Sequence, residues 1–393
     1  MFSKENFPPI YMDYAATTPV DPRVKDAMES YFTEKFGNPS SIHQFGQDAL
    51  EAIENARIQV AQLIHAEPEE IVFTSGGTES DNTALFSAFY ALRDKGNHII
   101  TTAIEHHAVL HCCVFLEKLG AKVTYVRPDK DGIVRVEDIE KAVTPQTILI
   151  SVMHANNEIG TIQPVEAIGQ MAKKYGILFH TDAVQTVGHI PVDVQKMQVD
   201  FLSLSGHKLY GPKGVGALYI RKGVPFVPFL HGGGQERGRR SSTHNVPGIV
   251  GLGKAVEIAR EEMEIESRRI QNLRDRLLSQ LEAQIPGIQC NGHRTQRLPN
   301  NINISVDHVE GESLLMNLDL EGIAVSSGSA CSSASQEPSH VLTAIGLSPE
   351  QARGAVRLTL GRFTTEAECD RVVEVFCEIV TRLRNLSSFG KNS

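Results

Sequence analysis

The residue in this sequence that most clearly suggests a chemical role is Lys208, which stands at the end of a short apolar strand. A lysine in that position is well placed to form a Schiff base with an aldehyde cofactor. Most lysines after a strand are ordinary surface residues. Here, however, Asp182, Gln185, Ser205 and His207 precede the lysine, and each is a type of group that a pyridoxal-phosphate site needs. The combination predicts a cofactor site around Lys208.

A second chemically suggestive residue is Asp182, the last residue of the apolar run 177–182. A carboxylate there pairs with a protonated pyridine nitrogen and makes the cofactor ring an electron sink. Taken alone, the residue fits an ordinary strand-end aspartate that caps a turn. Taken with Lys208, the cofactor interpretation becomes the better one.

The stretch 75–79, Ser-Gly-Gly-Thr-Glu, joins a predicted strand to a predicted helix and is a candidate site for binding an anion. Gly77 lets backbone amides approach a phosphate at the positive end of the helix, and Thr78 adds a hydroxyl. Ser205 and His207 are further candidate donors to the same phosphate. A simple helix cap explains the turn equally well. It is not a Walker loop, because no lysine follows the second glycine.

Other polar residues follow the next predicted strands. His106 comes after the strand 99–102, where an imidazole could stack on a flat cofactor ring or move a proton. Asn157, after the strand 148–152, and Gln185 are candidates for contact with the phenolic oxygen of the cofactor. For both residues the alternative is stabilisation of a loop.

A metal site is the alternative for the histidine- and cysteine-rich stretch that begins here. It would use His106, His107, His111, Cys112 and Cys113. Spacing within one short helix gives no convergent tetrahedral set of ligands. We therefore expect no intrinsic metal site.

The stretch 326–335 contains almost only small polar residues, and Cys331 lies within it. Such a stretch is too small and polar to pack, so we expect a mobile, exposed loop over about 326–337. A thiolate on that loop could swing into a site and attack sulfur or carbon. The alternative is a flexible linker with an incidental cysteine.

Arg357 lies within the apolar strand 355–360 and is a candidate for binding a substrate carboxylate through two hydrogen bonds. An arginine in an apolar strand must find a partner or stay at the strand end.

Composition narrows the classes of protein. The chain has 393 residues, of which 41% are hydrophobic, and this is ample for two domains. A formal net charge of -9 argues against direct binding of nucleic acid. Six cysteines give no disulfide framework. No apolar run approaches the ~20 residues of a membrane span, so we expect a soluble, cytoplasmic protein without membrane contact.

The order of elements predicts an α/β fold. Strands and helices alternate from residue 71 to 220, which indicates a mostly parallel sheet with helices on both faces. The strand 215–220 could be antiparallel. We predict that a long helix, about 248–284, links two domains. We predict a large cofactor-binding domain at 15–262 and a smaller α+β domain formed by 1–14 and 263–393.

Several motifs together resemble the NifS/IscS-type cysteine desulfurases, within the class-V aminotransferase family and the fold type I pyridoxal-phosphate enzymes. The resemblance runs nearly end to end. Its most specific pieces are Tyr-Met-Asp-Tyr-Ala-Ala-Thr-Thr-Pro (11–19), Thr-Ser-Gly-Gly-Thr-Glu-Ser (74–80), Asn-Asn-Glu-Ile-Gly (156–160), Asp-Ala-Val-Gln (182–185), Ser-Gly-His-Lys-Leu-Tyr-Gly-Pro-Lys-Gly (205–214) and Ser-Ser-Gly-Ser-Ala-Cys (326–331). It implies a seven-stranded type of large sheet.

The resemblance also implies roles for individual residues. Lys208 would hold pyridoxal 5′-phosphate as an aldimine, and Cys331 would be the nucleophile. The remaining implied roles are a pyridine-nitrogen partner (Asp182), a stacking and proton-moving group (His106), phenolic-side contacts (Asn157, Gln185), phosphate ligands (Gly77, Thr78, Ser205, His207), a phosphate ligand given to the neighbouring subunit of a homodimer (Thr243) and substrate-binding groups (Arg357, Asn157). Ser242 stands where the family commonly has glycine.

The implied activity is a sulfurtransferase reaction. L-Cysteine would become L-alanine, and a persulfide on Cys331 would pass sulfur to an acceptor protein. The length of the Cys331 stretch resembles the subgroup that serves iron–sulfur cluster assembly and tRNA thiolation, and Cys331 is a possible transient ligand of such a cluster. Alternatives are a selenocysteine lyase or small-substrate aminotransferase on the same scaffold, and a cofactor-bound scaffold without turnover.

Overall fold

The protein is described by a computed structural model. It describes residues 8–327 and 338–386. Cys331 and most of the stretch that we predict to be a mobile loop lie outside the described residues, so that prediction stays untested.

Strands and helices alternate between residues 71 and 220, as the sequence predicts, and the predicted long helix 248–284 begins two residues earlier, at Val246. The helices are α1 (Pro22–Thr33), α2 (Gln44–Ile64), α3 (Gly77–Leu92), α4 (His107–Lys118), α5 (Val136–Ala142), α6 (Val165–Tyr175), α7 (Val194–Met197), α8 (Val246–Gln284), α9 (Gly311–Leu320), α10 (His340–Ala344), α11 (Pro349–Arg353) and α12 (Glu366–Leu386). Local chemistry explains several ends: α6 stops at Gly176, whose φ of +65° favours glycine.

The strands are mostly short and buried. They are β1 (Ile10–Tyr11), β2 (Ile71–Thr74), β3 (His98–Thr102), β4 (Lys122–Val126), β5 (Thr147–Ser151), β6 (Leu178–Asp182), β7 (Phe201–Ser205), β8 (Gly216–Ile220), β9 (Gly234–Gln235), β10 (Arg240–Ser241), β11 (Ile288–Cys290), β12 (Asn301–Val306), β13 (Ile323–Ala324) and β14 (Ala355–Thr359). Every residue of β3, β5, β7 and β8 is buried, because helices cover both faces of the sheet.

A seven-stranded sheet dominates the larger part of the molecule, with the order β2-β8-β7-β6-β5-β3-β4. The pairs among β3, β4, β5, β6 and β7 are parallel, whereas β8 runs antiparallel to both β7 and β2. The prediction of a mostly parallel sheet with an antiparallel strand at 215–220 is therefore confirmed. Apolar cores pack on both faces, one against α2, α6 and the start of α8, the other against α3 and α4.

A three-stranded antiparallel sheet, in the order β11-β12-β14, forms a second core with α9, α12 and the end of α8. The N-terminal segment joins this sheet: β1 pairs with β13, and Asp13 forms a bridge to Thr359 beside β14. Helix α8 contributes buried residues to two of these cores, Val246–Ile258 to the one against α2 and α6 and Ile270–Leu281 to the core of the three-stranded sheet. The predicted division between residues 262 and 263 falls between these two buried stretches and stays a prediction.

Candidate active site

A cavity of about 290 Å³ lies where the two sheets meet. Ten of the residues that we predict to form the site line it together. They are Gly77, Thr78, His106, Asn157, Asp182, Gln185, Ser205, His207, Lys208 and Arg357. The structure therefore gathers into one place residues that are spread over almost three hundred positions of sequence.

Parallel strands explain most of this convergence. Asp182 is the last residue of β6, and Lys208 ends a short 3-10 turn directly after β7. His106 follows β3, and Asn157 follows β5. In parallel sheets the carboxyl ends of strands meet at one edge, and ligands bind in the crevice outside that edge.

The Lys208 ammonium points at the N-terminal segment. Its Nζ donates to the carbonyl oxygens of Ala15 at 2.6 Å and Ala16 at 2.7 Å. Gln185 donates to the Ala15 oxygen as well, at 3.1 Å. His207 is held by the same segment, because its Nδ1 lies 3.2 Å from the hydroxyl of Thr17. The turn at 14–16 and the adjoining Thr17 thus orient three predicted site residues.

Asp182 is almost completely buried, and its Oδ1 accepts a hydrogen bond from the backbone N–H of Val184 at 2.9 Å. Burial, with the nearby carboxyl of Asp81, raises the pKa of Asp182 to about 7. A carboxylate held there lacks a full counter-charge, so a cationic ring nitrogen beside it is favourable. This is the environment that a pyridinium nitrogen needs.

A polar network lies behind Asp182. His180, two residues earlier on β6, has Nδ1 2.8 Å from Ser151 Oγ and Nε2 3.0 Å from Ser203 Oγ. The Asp81 carboxylate on α3 lies 3.5 Å from His180 Nε2, and burial raises the pKa of Asp81 to about 7. Burial lowers the pKa of His180 to about 4, so its imidazole is neutral near pH 7.

His106 caps α4, because its Nδ1 accepts a hydrogen bond from the N–H of Ala108 at 3.1 Å. With Nδ1 accepting, the proton of the neutral ring lies on Nε2. Burial and the charge of Lys208 lower the pKa of His106 to about 4. The cavity therefore presents a neutral imidazole that can stack on a ring or donate one hydrogen bond.

The phosphate end of the cavity is built on the first turn of α3. The helix begins at Gly77, two residues earlier than we predict, so Gly77 and Thr78 are its first residues. Unpaired N–H groups at this terminus attract an anion. A Cβ on Gly77 would come within 2.7 Å of Val184 Cγ2, which explains the need for glycine. Ser205 and His207 line the same cavity.

Arg357 reaches the cavity from the middle of β14 and is 2% exposed. Its Nη2 donates to the Asp13 carboxylate at 2.8 Å, and its Nη1 donates to the carbonyl oxygen of Asn157 at 2.8 Å. The partner that an arginine in an apolar strand requires is therefore Asp13, which our sequence analysis does not identify.

The described residues on either side of the Cys331 stretch lie beside the cavity. Before it, Ser326 exchanges two backbone hydrogen bonds with Arg357. After it, His340 lines the cavity, and the distance from its Nε2 to the carbonyl oxygen of Glu105 is 3.0 Å. Ser339 donates to the buried Glu158 carboxylate at 2.5 Å. Burial raises the pKa of Glu158 to about 7.

Among the predicted site residues that the structure describes, Thr243 is the one that does not line the cavity. It is exposed, at the end of the Gly/Arg-rich loop that contains β9 and β10. Arg240 of this loop forms an ion pair with Glu79 on the phosphate-end helix α3, with Nε and Oε1 2.9 Å apart. Ser242 has a φ of +97°, in the region that favours glycine.

Sequence reasoning misses several residues that line the cavity or support it. They are Asp13, Ala15, Ala16, Asp81, Glu158 and His340. The motif 11–19 is the only signal in the sequence for the first three, and it carries no chemistry of its own until the segment is placed beside Lys208.

The expectation that the protein has no intrinsic metal site stays a prediction. Within residues 8–327 and 338–386, no group of three or more histidine, cysteine or acidic side chains could hold a metal ion. Cys112 and Cys113 belong to α4 and are buried in the core that it shares with α3. The possible cluster ligand Cys331 lies outside these residues.

No helix of the described part is long and apolar enough to cross a bilayer.

With this geometry in place, the chain can be compared with known proteins. The sequence profile of the family described as aminotransferase class-V matches residues 10–372. The chain belongs to this family. The predicted fold class is confirmed.

Individual relatives carry more specific names. A protein of Dictyoglomus turgidum named "Cysteine desulfurase IscS" is 55% identical over 380 residues, which span 97% of this chain and 96% of the relative. A solved structure described as "NIFS-LIKE PROTEIN" is 43% identical with a TM-score of 0.90, and the match covers 95% of this chain and 100% of that one. Another, "SspA in complex with cysteine", is 40% identical with a TM-score of 0.80 and covers 91% and 100%.

Pyridoxal 5′-phosphate is the cofactor of this family, and the cavity fits it. A buried carboxylate suits the ring nitrogen, a lysine amine suits the aldehyde, and a helix N-terminus suits the phosphate. Lys208, Asp182 and Gly77 provide these three features along one cavity.

Proposed function

We propose that this protein is a cysteine desulfurase, which converts L-cysteine to L-alanine and keeps the sulfur as a persulfide on Cys331. The name of the Dictyoglomus turgidum relative supports the proposal, as does the solved relative in complex with cysteine. Both proteins match this chain over nearly their full length.

The observation that carries the proposal is the attachment of the Cys331 stretch to the cavity at both ends. Ser326 pairs with Arg357 on one side, and His340 lines the cavity on the other. Cys331 is four residues from Ser327, so the covalent chain keeps the two Cα atoms within about 14 Å. We propose that this short connection lets the Cys331 thiol reach a substrate bound at Arg357.

Each site residue has a task in this reaction. The cofactor, when bound, supplies an electron sink next to Cα of the amino acid. Lys208 holds the cofactor, and its amine takes the proton from Cα. The carboxylate of Asp182 keeps the adjacent ring nitrogen protonated, and His106 donates a hydrogen bond through Nε2. Arg357 binds the carboxylate of the amino acid.

The sulfur step balances without an outside oxidant. Cys331 attacks as a thiolate, and the new S–S bond forms while the Cβ–S bond of the substrate breaks. The electron pair of the broken bond stays with Cβ, which takes a proton and becomes the methyl group of alanine. Sulfur is oxidised and Cβ is reduced within the same step.

The proposal includes a homodimer and a sulfur acceptor. Thr243 would contact the cofactor phosphate of the neighbouring subunit, and its exposure outside its own cavity supports this assignment. An acceptor protein for iron–sulfur assembly or tRNA thiolation would take the sulfur from Cys331. The cytoplasmic location predicted from the sequence belongs to the same proposal.

The test is a measurement of alanine, sulfide and persulfide after L-cysteine is added to the cofactor-loaded protein. We expect alanine formation, and a persulfide found by mass spectrometry on Cys331. Cys331→Ser should keep the visible absorbance of the cofactor and lose at least 100-fold in alanine formation. Cys377→Ser is the matched control, because Cys377 is a partly buried thiol on α12 outside the cavity. Full-rate alanine formation by Cys331→Ser would exclude that residue as the nucleophile.

A further inference from the structure

The ion pair between Asp13 and Arg357 joins two parts of the chain that are 344 positions apart. Arg357 is nearly inaccessible to solvent, while the Asp13 side chain is 18% exposed. A buried guanidinium needs a counter-charge and fixed hydrogen-bond partners. We infer that Asp13 is the positioning residue that fixes the Arg357 guanidinium for the α-carboxylate of the substrate. The inference rests on the proposed function and assigns the carboxylate-reading part of that site.

The donors of Arg357 show how the guanidinium is fixed. Five N–H groups are available. Among the described residues, Asp13 accepts from Nη2 and the carbonyl oxygen of Asn157 accepts from Nη1, each at 2.8 Å. The Nε atom is buried without a partner there. Because the two terminal nitrogens are held from different sides, the plane of the guanidinium has one orientation. One further hydrogen on each terminal nitrogen remains for an incoming carboxylate.

Asp13 can do this because its own backbone is held independently of its side chain. Thr359 N donates to the Met12 oxygen at 2.8 Å, and Ala15 N donates to the Thr359 hydroxyl at 2.9 Å. The Tyr11 hydroxyl lies 3.0 Å from the Asp13 carbonyl oxygen. Removing the Asp13 carboxylate therefore leaves the N-terminal segment attached beside β14.

The pair also limits which ligands bind well. Asp13 neutralises the charge of Arg357, so a bound amino acid adds one carboxylate to a pair that is already neutral. The Glu158 carboxyl lines the same cavity. A ligand with a second carboxylate at this position meets two acidic groups and one guanidinium, and it is disfavoured. The site thus suits a small amino acid with one carboxylate.

The test compares two substitutions of Asp13 that differ in one property. Asp13→Ala removes both the charge and the hydrogen-bond acceptor, while Asp13→Asn keeps an oxygen that can accept from Nη2. The readout is the Kd of L-alanine, measured from the absorbance change of the cofactor-loaded protein. This binding does not require desulfuration, so it separates failure of the inference from failure of the proposed function.

We expect Asp13→Ala to raise the Kd of L-alanine at least tenfold with the cofactor absorbance before addition unchanged. Asp13→Asn should bind L-alanine at least as tightly as the unmodified protein, because the acceptor remains and one repulsive charge is gone. The KM for L-cysteine should follow the same order, with kcat within about threefold. An unchanged Kd in Asp13→Ala, or equal weakening in both variants, overturns the inference.

Asp21→Asn is the matched control. Asp21 is also a buried acid of the N-terminal region, and it pairs with Arg362, with Oδ2 and Nη1 2.6 Å apart, outside the cavity. This variant loses a buried ion pair of the same kind. It should lower the unfolding temperature and leave the Kd of L-alanine unchanged. A change in Kd as large as that of Asp13→Ala would show that lost stability alone explains the effect, which also overturns the inference.

Discussion

The two sheets that border the cavity present their functional groups in different ways. The seven-stranded sheet places Asp182 and Lys208 at or just after strand ends, where short turns carry them into the crevice. The three-stranded sheet instead places Arg357 in the middle of a strand, with Asn303 opposite it on β12. An arginine in mid-strand is buried by its own sheet and depends on a distant counter-ion. We therefore propose that the larger sheet builds the cofactor site by local geometry and that the smaller one builds the carboxylate site by long-range pairing.

The largest effect should come from the strand-end side of this comparison. Lys208→Ala removes the amine that holds the cofactor and takes the Cα proton, so alanine formation should fall by at least about 10³-fold. The visible absorbance of the lysine-bound cofactor should disappear with it. Lys213→Ala, an exposed lysine of the same loop, is the control. Retention of the absorbance by Lys208→Ala would remove the cofactor assignment.

The next effect should come from the mid-strand side. Arg357→Gln removes the positive charge and leaves Asp13 unpaired, which typically costs about 3 kcal/mol, or roughly 100-fold, in kcat/KM. The cofactor absorbance should stay, because Arg357 belongs to the other sheet. Arg362→Gln breaks the Asp21 pair outside the cavity and should leave kcat/KM within about threefold. If Arg357→Gln instead abolished cofactor binding, the two sheets would not have separate tasks.

A smaller effect concerns pH and the acids near Asp182. Burial raises the pKa of Asp81 and Asp182 to about 7 and that of Glu105 to about 8. The folded state thus binds protons that the unfolded state releases, and stability falls as pH rises from about 4 to 8. The buried histidines His106 and His180 affect the stability of the fold at lower pH, because their pKa values are lowered from an ordinary value near 6.5 to about 4.

A comparison of the cofactor-free protein with Asp81→Asn at pH 6.5 and pH 8.0 isolates one carboxyl group, because the buried histidines contribute equally to both proteins. We expect the unfolding temperature of the unmodified protein to fall by a few degrees relative to that of Asp81→Asn between these pH values, since the buried Asp81 carboxyl loses its proton over this range. An unfolding temperature that keeps the same offset between the two proteins at both pH values would contradict the argument.

The smallest effect lies outside both sheets, at Ser242. Its φ of +97° strains any residue with a Cβ. In Ser242→Gly we expect the release of this strain to outweigh the free-energy cost of the larger conformational entropy that glycine gives the unfolded chain. We expect stabilisation by about 1 kcal/mol in urea-induced unfolding, with cofactor absorbance unchanged. Ser41→Gly, another loop serine that has no positive φ, should instead be neutral or destabilising. Equal changes in both variants would mean that strain at Ser242 has no measurable cost.

What could be predicted from the sequence follows the same division between the sheets. Strand ends can be recognised in a sequence, because an apolar run stops at a polar residue such as Asp182. Parallel strands then bring those residues together. Arg357 could be predicted as well, because an arginine within the apolar strand 355–360 needs a partner. The partner of Arg357 was not predictable, because no local pattern gives the register between the N-terminal segment and β14.

Two other misses have the same physical origin. Asp81 reads as a polar residue in the first turns of a helix, and only the packing of α3 against β7 turns it toward His180. The start of that helix at Gly77 was placed two residues late, because Ser-Gly-Gly-Thr fits a turn as well as a helix terminus. Element types depended on local patterns, whereas buried polar partners depended on tertiary contacts.

The 39-residue helix α8 has a consequence for how the molecule comes apart. At about 1.5 Å per residue it is roughly 60 Å long, and its two halves complete different hydrophobic cores. Fraying at either end removes side chains from one core and shortens the helical backbone that the other core needs. Backbone amides near its centre should therefore exchange with deuterated solvent only when both cores open together.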